Sequence, residues 1–319
     1  MLIQTKHKRW FVLLPFAVIL ILLSGYALAD TLFESDSGEY FEYTVDEHGA
    51  TLLSYSVVDP DATPEFVRIP AELNGYALYS IGSNAFNCGI LKNRIAPYDE
   101  QLAYMLILPE GLIKLDSYAL NGSGFQSILL PSTLSEIEDD LSDVKAIIEV
   151  AEGNPRYASE NGFLIDMQES ALLYAGPSSS NCSLPIVKTF SKFSLQNYQP
   201  EIIKFPESAV YIDSYTCYDN TETKSVIIPG NVRTIADNAF YAMEADEFIL
   251  SSGIRSIGAY AFYNTEISEL SIPESVEWLG FEFCQDEVDL TGYPALNCHW
   301  ETEEEFEERM ELIDEEYEY

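Results

Sequence analysis

The side chains that could carry out chemistry are few and far apart in this 319-residue chain. His299 is the histidine that adjoins a possible nucleophile, Cys298. A cysteine nucleophile needs a base and a group that orients the base, so one adjacent pair supplies too little for catalysis or for a metal site. None of the five cysteines forms a C-x-x-C pair, so the usual spacing of a zinc site is missing. We therefore predict no catalytic residue and no metal site.

Carboxylates are abundant, and Glu138, Asp139, Asp140 and Asp143 form a compact cluster of them. A glycosidase holds two carboxylates on either side of a sugar bond, and Ca²⁺ prefers oxygen ligands of this kind. Because the chain has 53 acidic residues, such clusters also arise by chance, and we favour a solvated acidic turn. No EF-hand, P-loop or G-x-S-x-G motif occurs. We predict no cofactor and keep a secreted carbohydrate-active hydrolase that uses acidic pairs as an alternative function.

The composition limits the class of partner. The formal net charge is −37, from 16 basic and 53 acidic residues. Binding of nucleic acid depends on Lys and Arg displacing counterions from phosphates, so we predict no nucleic-acid partner. An anionic membrane surface is disfavoured for the same reason. The hydrophobic fraction of 47% excludes a disordered acidic chain, since such chains lack the apolar surface to form a core.

The first 29 residues have the pattern of an export signal. Basic residues between positions 6 and 9 precede an apolar run, Trp10–Leu23, and the small-residue site Ala27–Ala29. That order is typical of a secretory signal peptide, and we predict cleavage before Asp30. The rival interpretation is an uncleaved anchor, because about 20 apolar residues can span a bilayer. We predict a protein that is secreted or at the cell surface, without membrane insertion once the signal is cleaved.

A repeat of about 22 residues runs through the rest of the chain. Its anchor is an aliphatic or aromatic residue that usually precedes Pro; the step from Leu108 to Leu130 is 22 residues, and those from Phe205 onward are 23, 22 and 22. A second aliphatic residue lies seven positions after the anchor. Five positions further on is a bulky or sulfur side chain, which we call the structural knob. The predicted knobs are Phe86, Leu120, Cys217, Phe240, Phe262 and Cys284.

The repeated positions have physical explanations. The run before Pro alternates inward and outward as a short strand does, and Pro ends the pairing because it lacks an N–H. The knob usually follows a small residue, which leaves room for one large side chain. A unit of this length cannot bury its own apolar face, so neighbouring units must stack into a solenoid.

Two units show what the repeat resembles. Residues 228–240 read I-P-G-N-V-R-T-I-A-D-N-A-F, and residues 256–262 read S-I-G-A-Y-A-F. These units resemble the BspA-like (Treponema-type) leucine-rich repeats, and the resemblance covers roughly residues 40–298. It implies a leucine-rich-repeat solenoid, mostly β with short helical turns. Members of this family are mostly exported or surface proteins, which implies adhesion or ligand binding, and no known catalytic residues transfer.

The departures from the repeat suggest the domain boundaries. We predict an N-terminal β cap over residues 30–64, with a hairpin turn near residues 46–49, and repeats over residues 65–298. An irregular insertion at about 148–182 contains turn signals and short strands. The unit that begins at Leu184 is degraded, because Ser191 occupies the position of its second aliphatic residue.

The tail, residues 299–319, is strongly acidic. Phe306, Met310, Ile313 and Tyr317 are spaced as one face of a helix. A helix that caps the last repeat is the interpretation we favour, because the ends of a solenoid need covering. An acidic docking tail is the alternative.

The outward positions of the predicted strands form the candidate binding surface. The residue just before the anchor should face solvent, because its two neighbours face the core. Contiguous exposed apolar surface often marks an interaction site, although aliphatic residues also suit stacked strands. We call these residues the outward column: Ile107, Leu129, Lys204, Ile227, Ile249 and Ser271.

The sequence thus predicts an exported, non-catalytic binding or adhesion protein. Its partner would be a protein or a glycan of unknown identity. The hydrolase and a structural module of the cell envelope remain as alternatives.

Overall fold

The structure is a computed structural model that describes residues 31–35, 39–57, 66–86, 105–138, 141–285, 288–291 and 298–317. The predicted signal peptide, with its cleavage site before Asp30, lies outside these residues. Within them, no helix is long and apolar enough to cross a bilayer.

An antiparallel β cap forms the N-terminal end. Its strands are Thr31–Glu34, Glu39–Val45 and Ala50–Val57, and the turn between the last two lies at residues 46–49. The third strand then pairs in parallel with Tyr76–Ile81, which in turn pairs antiparallel with the short strand Glu72–Leu73. Aromatic side chains at alternate positions point into the core, so this sheet closes the apolar end of the solenoid.

The first sheet of the solenoid consists of the short strands that end at the anchors. All pair in parallel, so residues at equivalent repeat positions are neighbours on adjacent strands. The sheet is built in three parts. The strands of the first part are Phe66–Arg68, Met105–Ile107, Ser127–Leu130 and Ile147–Val150; those of the second are Ile202–Lys204, Ser225–Ile228 and Glu247–Leu250; those of the third are Glu269–Ser271 and Asp289–Thr291.

The second sheet contains the second aliphatic residue of each repeat, and most of its strands are two residues long. Lys114–Leu115 and Glu136–Ile137 continue the sheet of the N-terminal cap. The remaining repeat strands are Thr189–Phe190, Tyr211–Ile212, Thr234–Ile235, Ser256–Ile257, Trp278–Leu279 and His299–Trp300.

The irregular insertion forms an antiparallel unit within this second sheet. Its strands are Tyr157–Glu160, Phe163–Asp166 and Ala171–Ala175, and the last pairs in parallel with Thr189–Phe190. The strand Ile147–Val150, at the predicted start of the insertion near residue 148, pairs in parallel with Ser127–Leu130. The antiparallel strands follow it.

The buried side chains form two core clusters, one on each side of the insertion. Leu164 and Tyr174 of the insertion belong to the N-terminal cluster, whereas Phe163 and Leu172 belong to the C-terminal cluster. Successive side chains on a strand point to opposite faces. This alternation lets one antiparallel unit contribute to both clusters.

The C-terminal helix, Glu303–Tyr317, covers the last repeat. Its N-terminus is a capping box: the amide of Thr302 donates to Glu305 Oε2 at 2.8 Å, and the amide of Glu305 donates to Thr302 Oγ1 at 3.3 Å. The prediction of a leucine-rich-repeat solenoid with these two ends is confirmed. The turns are less helical than expected, since the described residues contain a single 3-10 helix, Pro177–Asn181, besides this helix.

Candidate binding surfaces

The outward column lies on the solvent side of the first sheet. Ile107 pairs with Leu129, and Ile227 pairs with Ile249, on adjacent parallel strands. Ile249 is 43% exposed, and the other three aliphatic residues are half-buried. Lys204 and Ser271, the polar members of the column, are exposed.

The aliphatic part of the column is divided into two pairs. Arg68 adjoins Ile107 on one side, and Glu149 adjoins Leu129 on the other. In the second part of the sheet, Lys204 adjoins Ile227. Each aliphatic pair is therefore a small apolar patch with charged residues at its border.

The structural knobs lie inside the core clusters. Phe240 stacks on Phe262 with ring centroids 5.3 Å apart, and it meets Phe205 and Phe248 edge to face. Aromatic pairs with these geometries contribute more than their buried area alone. The exposed fractions are 0% for Phe86, Cys217, Phe240 and Phe262, 1% for Leu120 and 9% for Cys284.

The unit that begins at Leu184 is more regular than its sequence indicates. Phe190, not Ser191, occupies the position of the second aliphatic residue, because it pairs with Ile212 on the next turn. Its knob is Leu195, which is 0% exposed and lies two residues after a left-handed residue, as the other knobs do. The unit is one residue shorter in this segment, so a fixed spacing of seven misses it.

The third side of the solenoid consists of the turns that contain the knobs. The residue two positions before each knob has a left-handed backbone, with φ between 43° and 63°. This conformation is unfavourable for residues other than Gly, and Asn tolerates it best. The residues at this position are Asn84, Tyr118, Phe193, Tyr215, Asn238, Tyr260 and Glu282.

Tyrosines also recur one position after the knob on this third side. The ring of Tyr241 lies between those of Tyr218 and Tyr263, at centroid distances of 6.1 and 6.2 Å and with interplanar angles of 12° and 11°. Together with the left-handed aromatic residues they line an open groove of about 800 Å³. We call this the aromatic groove, and its rings are those of Phe193, Tyr215, Tyr218, Tyr241, Tyr260 and Tyr263.

Carboxylates accompany these rings. Asp143 and Glu282 line the aromatic groove. Burial raises the pKa of the Tyr260 hydroxyl, and the negative charges of Glu282 and Glu303 raise it further. The ammonium group of Lys192 lies 5.3 Å from the ring centroid of Phe193 at one end of the groove. The groove thus combines aromatic rings with negative charge.

The C-terminal helix forms a wall beside the groove. Phe306 packs against Phe281 and Tyr260, at centroid distances of 5.6 and 5.5 Å. Arg309 holds the helix to the solenoid through Asp237 Oδ2 at 2.6 Å and Glu301 Oε1 at 2.8 Å. These hydrogen bonds to carboxylates raise the pKa of the Arg309 guanidinium above its ordinary value.

The side chains of Cys298 and His299 each contact a different group. The imidazole of His299 stacks on Trp278, and its Nε2 lies 3.1 Å from Glu305 Oε2. The thiol of Cys298 lies 3.6 Å from the carbonyl oxygen of His299, and burial raises the pKa of that thiol. A nucleophilic cysteine requires the opposite shift. In the predicted acidic cluster, Glu138 forms an ion pair with Lys114, while Asp139 and Asp140 lie outside the described residues.

The repeat carried a signal for the aromatic groove that the spacing of apolar residues did not reveal. Tyrosines at 218, 241 and 263 follow successive knobs, and those at 215 and 260 precede them by two. Their period equals that of the core positions. Their significance depends on the third side facing outward, which becomes apparent once the turns are stacked.

These features define a parallel β-solenoid of leucine-rich repeats with two sheets, a turn-lined third side and a cap at each end. The chain belongs to the BspA type leucine-rich repeat region family, whose model matches six copies over residues 77–143 and 172–291, more than half of the chain. A comparison with curated proteins gives no match.

Solved bacterial proteins with leucine-rich repeats are similar to this chain over most of its length. A protein from Eubacterium ventriosum is 16% identical, with 84% of this chain and 98% of that chain covered and a TM-score of 0.39. A leucine-rich cell surface protein from Faecalibacterium prausnitzii is 14% identical, with 82% and 86% covered and a TM-score of 0.39. The pneumococcal vaccine antigen PcpA is 16% identical, with 78% of both chains covered and a TM-score of 0.37.

Proposed function

We propose that this chain is an exported, non-catalytic binding protein, secreted or at the cell surface, that presents its solenoid surface to a protein or glycan. The observation that carries the proposal is the outward column, where two aliphatic pairs are partly exposed on an otherwise regular sheet. Membership of the BspA-type family supports the proposal, since members of this family are mostly exported or surface proteins. The signal-like segment at residues 1–29 supports export.

The geometry of the column suits a protein contact. The apolar centre of an interface is generally surrounded by a polar rim, and here charged Arg68, Glu149 and Lys204 border the two aliphatic pairs. The parallel register places the members of each pair on adjacent strands, about 4.8 Å apart. A partner strand or loop that lies across the sheet would meet both members at once.

The overall charge restricts the partner further. A formal charge of −37 repels nucleic acid and anionic membrane surfaces at long range. It favours partners that are neutral or positively charged. We therefore exclude nucleic acid from the proposal and expect no membrane insertion after signal cleavage.

The experiment introduces charge into the column. Ile227→Asp and Ile249→Asp should leave folding largely intact, because outward strand positions tolerate polar residues. They should abolish binding to immobilised proteins and polysaccharides, or self-association, because they place a charge in an apolar contact. Ile228→Asp is the matched control: Ile228 is 0% exposed, so the variant should unfold.

Circular dichroism melting and size-exclusion chromatography of the three variants provide the readout for folding. If Ile227→Asp binds like the unaltered protein, the column is not the binding surface. Turnover of a polysaccharide in the same panel, lost on substitution of a carboxylate, would favour the hydrolase instead. Mass spectrometry of exported material tests whether the chain begins at Asp30.

A further inference from the structure

We infer that the aromatic groove binds a cationic segment of a partner protein, one rich in Lys and Arg. The inference rests on the proposed binding function and adds a second site, on a side of the solenoid different from that of the outward column. Cationic side chains stack on the faces of aromatic rings, and carboxylates at the rim neutralise their charge. The groove offers rings on four successive turns and two carboxylates, those of Asp143 and Glu282.

The chain's own cations already contact aromatic rings in the groove and beside it. The ammonium group of Lys192 lies 5.3 Å from the Phe193 centroid and 6.0 Å from the Tyr215 centroid. Beside the groove, on the C-terminal helix, the guanidinium carbon of Arg309 lies 5.3 Å from the Phe306 centroid. All three distances are typical of cation–π contacts. From Tyr215 the rings of Tyr218, Tyr241 and Tyr263 continue the surface.

The electrostatic environment favours a cation over an anion or a neutral ligand. Asp143 and Glu282 line the groove, and Glu303 lies close enough to Tyr260 for its charge to raise the pKa of the hydroxyl. The net charge of −37 also draws basic segments toward the protein from a distance. A neutral sugar could donate hydrogen bonds to these carboxylates, but it would lack the charge–charge attraction that a cation gains, and an acidic peptide would be repelled.

Two of the groove's rings occupy backbone positions that do not favour an aromatic residue. Tyr215 and Tyr260 have φ of 56°, the left-handed conformation found in every turn that contains a knob, and Asn238 adopts it with less strain. A tyrosine here therefore adds ring area to the groove at a cost that asparagine would avoid.

The test measures the fluorescence anisotropy of a labelled oligoarginine peptide as increasing amounts of the exported protein are added. We expect saturable binding that weakens as salt increases, because exposed charges are screened. The double variant Tyr241→Leu, Tyr263→Leu keeps the net charge and removes two rings. It should bind about tenfold more weakly.

A pair of charge variants separates the groove from the overall charge. Glu282→Gln removes one carboxylate from the groove, and Glu274→Gln removes one from an exposed turn beside the first sheet. The net charge changes equally in both. Binding should weaken several-fold in Glu282→Gln and stay within twofold in Glu274→Gln. These two variants also test the inference if the double tyrosine variant unfolds at a lower temperature than the unaltered protein.

Three results would overturn the inference. Equal affinity of the unaltered protein and the double tyrosine variant would show that the peptide is held by net charge elsewhere. Binding of a neutral polysaccharide that is insensitive to salt and lost in the double variant would identify the groove as a glycan site. Absence of any oligoarginine binding would show that the groove does not bind cationic segments. The proposed function is tested independently, by the outward-column variants.

Discussion

The repeats before and after the insertion, residues 66–150 and 202–285, use the same inward positions to build separate cores. Phe86 and Leu120 fill the N-terminal cluster as Phe240 and Phe262 fill the C-terminal cluster. Their third sides differ. Asn121 follows its knob in the N-terminal half, whereas Tyr218, Tyr241 and Tyr263 follow theirs in the C-terminal half. Repeated apolar positions therefore specify the fold, while the residues beside them specify the surface, and among the residues that the structure describes the stacked tyrosines lie on the C-terminal half.

The largest expected effect tests whether the two halves have separate cores. Phe240→Ala should lower the free energy of unfolding by about 3–5 kcal/mol, the usual cost of emptying a large aromatic core site. Hydrogen exchange should accelerate more in residues 202–285 than in 105–138, because Phe240 contacts only the C-terminal cluster. Leu120→Ala is the control and should show the reverse. An unchanged melting temperature for Phe240→Ala would contradict the knob assignment.

A smaller effect is expected from alkaline pH. Burial raises the pKa of Tyr198, in the C-terminal cluster, to about 12. A phenol in the unfolded chain loses its proton near about pH 10. In the folded form Tyr198 keeps its proton to a higher pH than in the unfolded chain. The stabilisation that results is complete below about pH 10 and is lost as pH rises toward 12. The loss attributable to Tyr198 is about 1–2 kcal/mol, because solvent near the hydroxyl screens part of the effect of burial.

Tyr198→Phe removes this dependence. The variant also loses the hydrogen bond that the hydroxyl donates to the carbonyl oxygen of Cys182 at 2.8 Å, so it should be about 1 kcal/mol less stable at neutral pH. Urea unfolding between about pH 8 and pH 11 should show a shallower decline than for the unaltered protein. Tyr174→Phe provides the matched change in the N-terminal cluster, where burial also raises the pKa of the phenol. An identical pH profile for Tyr198→Phe and the unaltered protein would show that this phenol titrates normally.

The smallest expected effect is on the free energy of unfolding when either of two tyrosines at the same repeat position is replaced. Tyr118 has φ of 63° and is 45% exposed, so the backbone strain that Tyr118→Asn relieves, up to about 1 kcal/mol, should exceed what the contacts of this partly exposed ring contribute, and the free energy of unfolding should rise. Tyr260 has φ of 56° but packs against Tyr263, Phe281 and Phe306, so Tyr260→Asn should lower it instead. Thermal melting of the two variants measures both signs. The same sign in both would remove the proposed distinction between the two third sides.

The sequence was sufficient for the solenoid because its information is local and repeated. The anchor, the second aliphatic residue and the knob recur at nearly constant spacing, so stacking follows from any two units. The unit at Leu184 was interpreted as degraded because one deleted residue moves Phe190 and Leu195 out of that spacing.

The aromatic groove and the position of the C-terminal helix on the solenoid depend on contacts between residues that are distant in the sequence. Arg309 reaches Asp237, 72 residues away, through an ion pair that no spacing rule contains. The rings of the groove come from four turns, and their alignment depends on how each turn is placed on the next. Composition and periodicity could indicate which residues take part, but not that they contact one another.

Cys217 offers a way to observe one half of the molecule at a time. Its side chain is fully buried in the C-terminal cluster, and burial raises the pKa of its thiol. An alkylating reagent attacks the exposed thiolate, so it can modify this residue only when the surrounding turns transiently separate. The rate of alkylation at Cys217 therefore reports the opening free energy of the C-terminal half, without any added label or substitution.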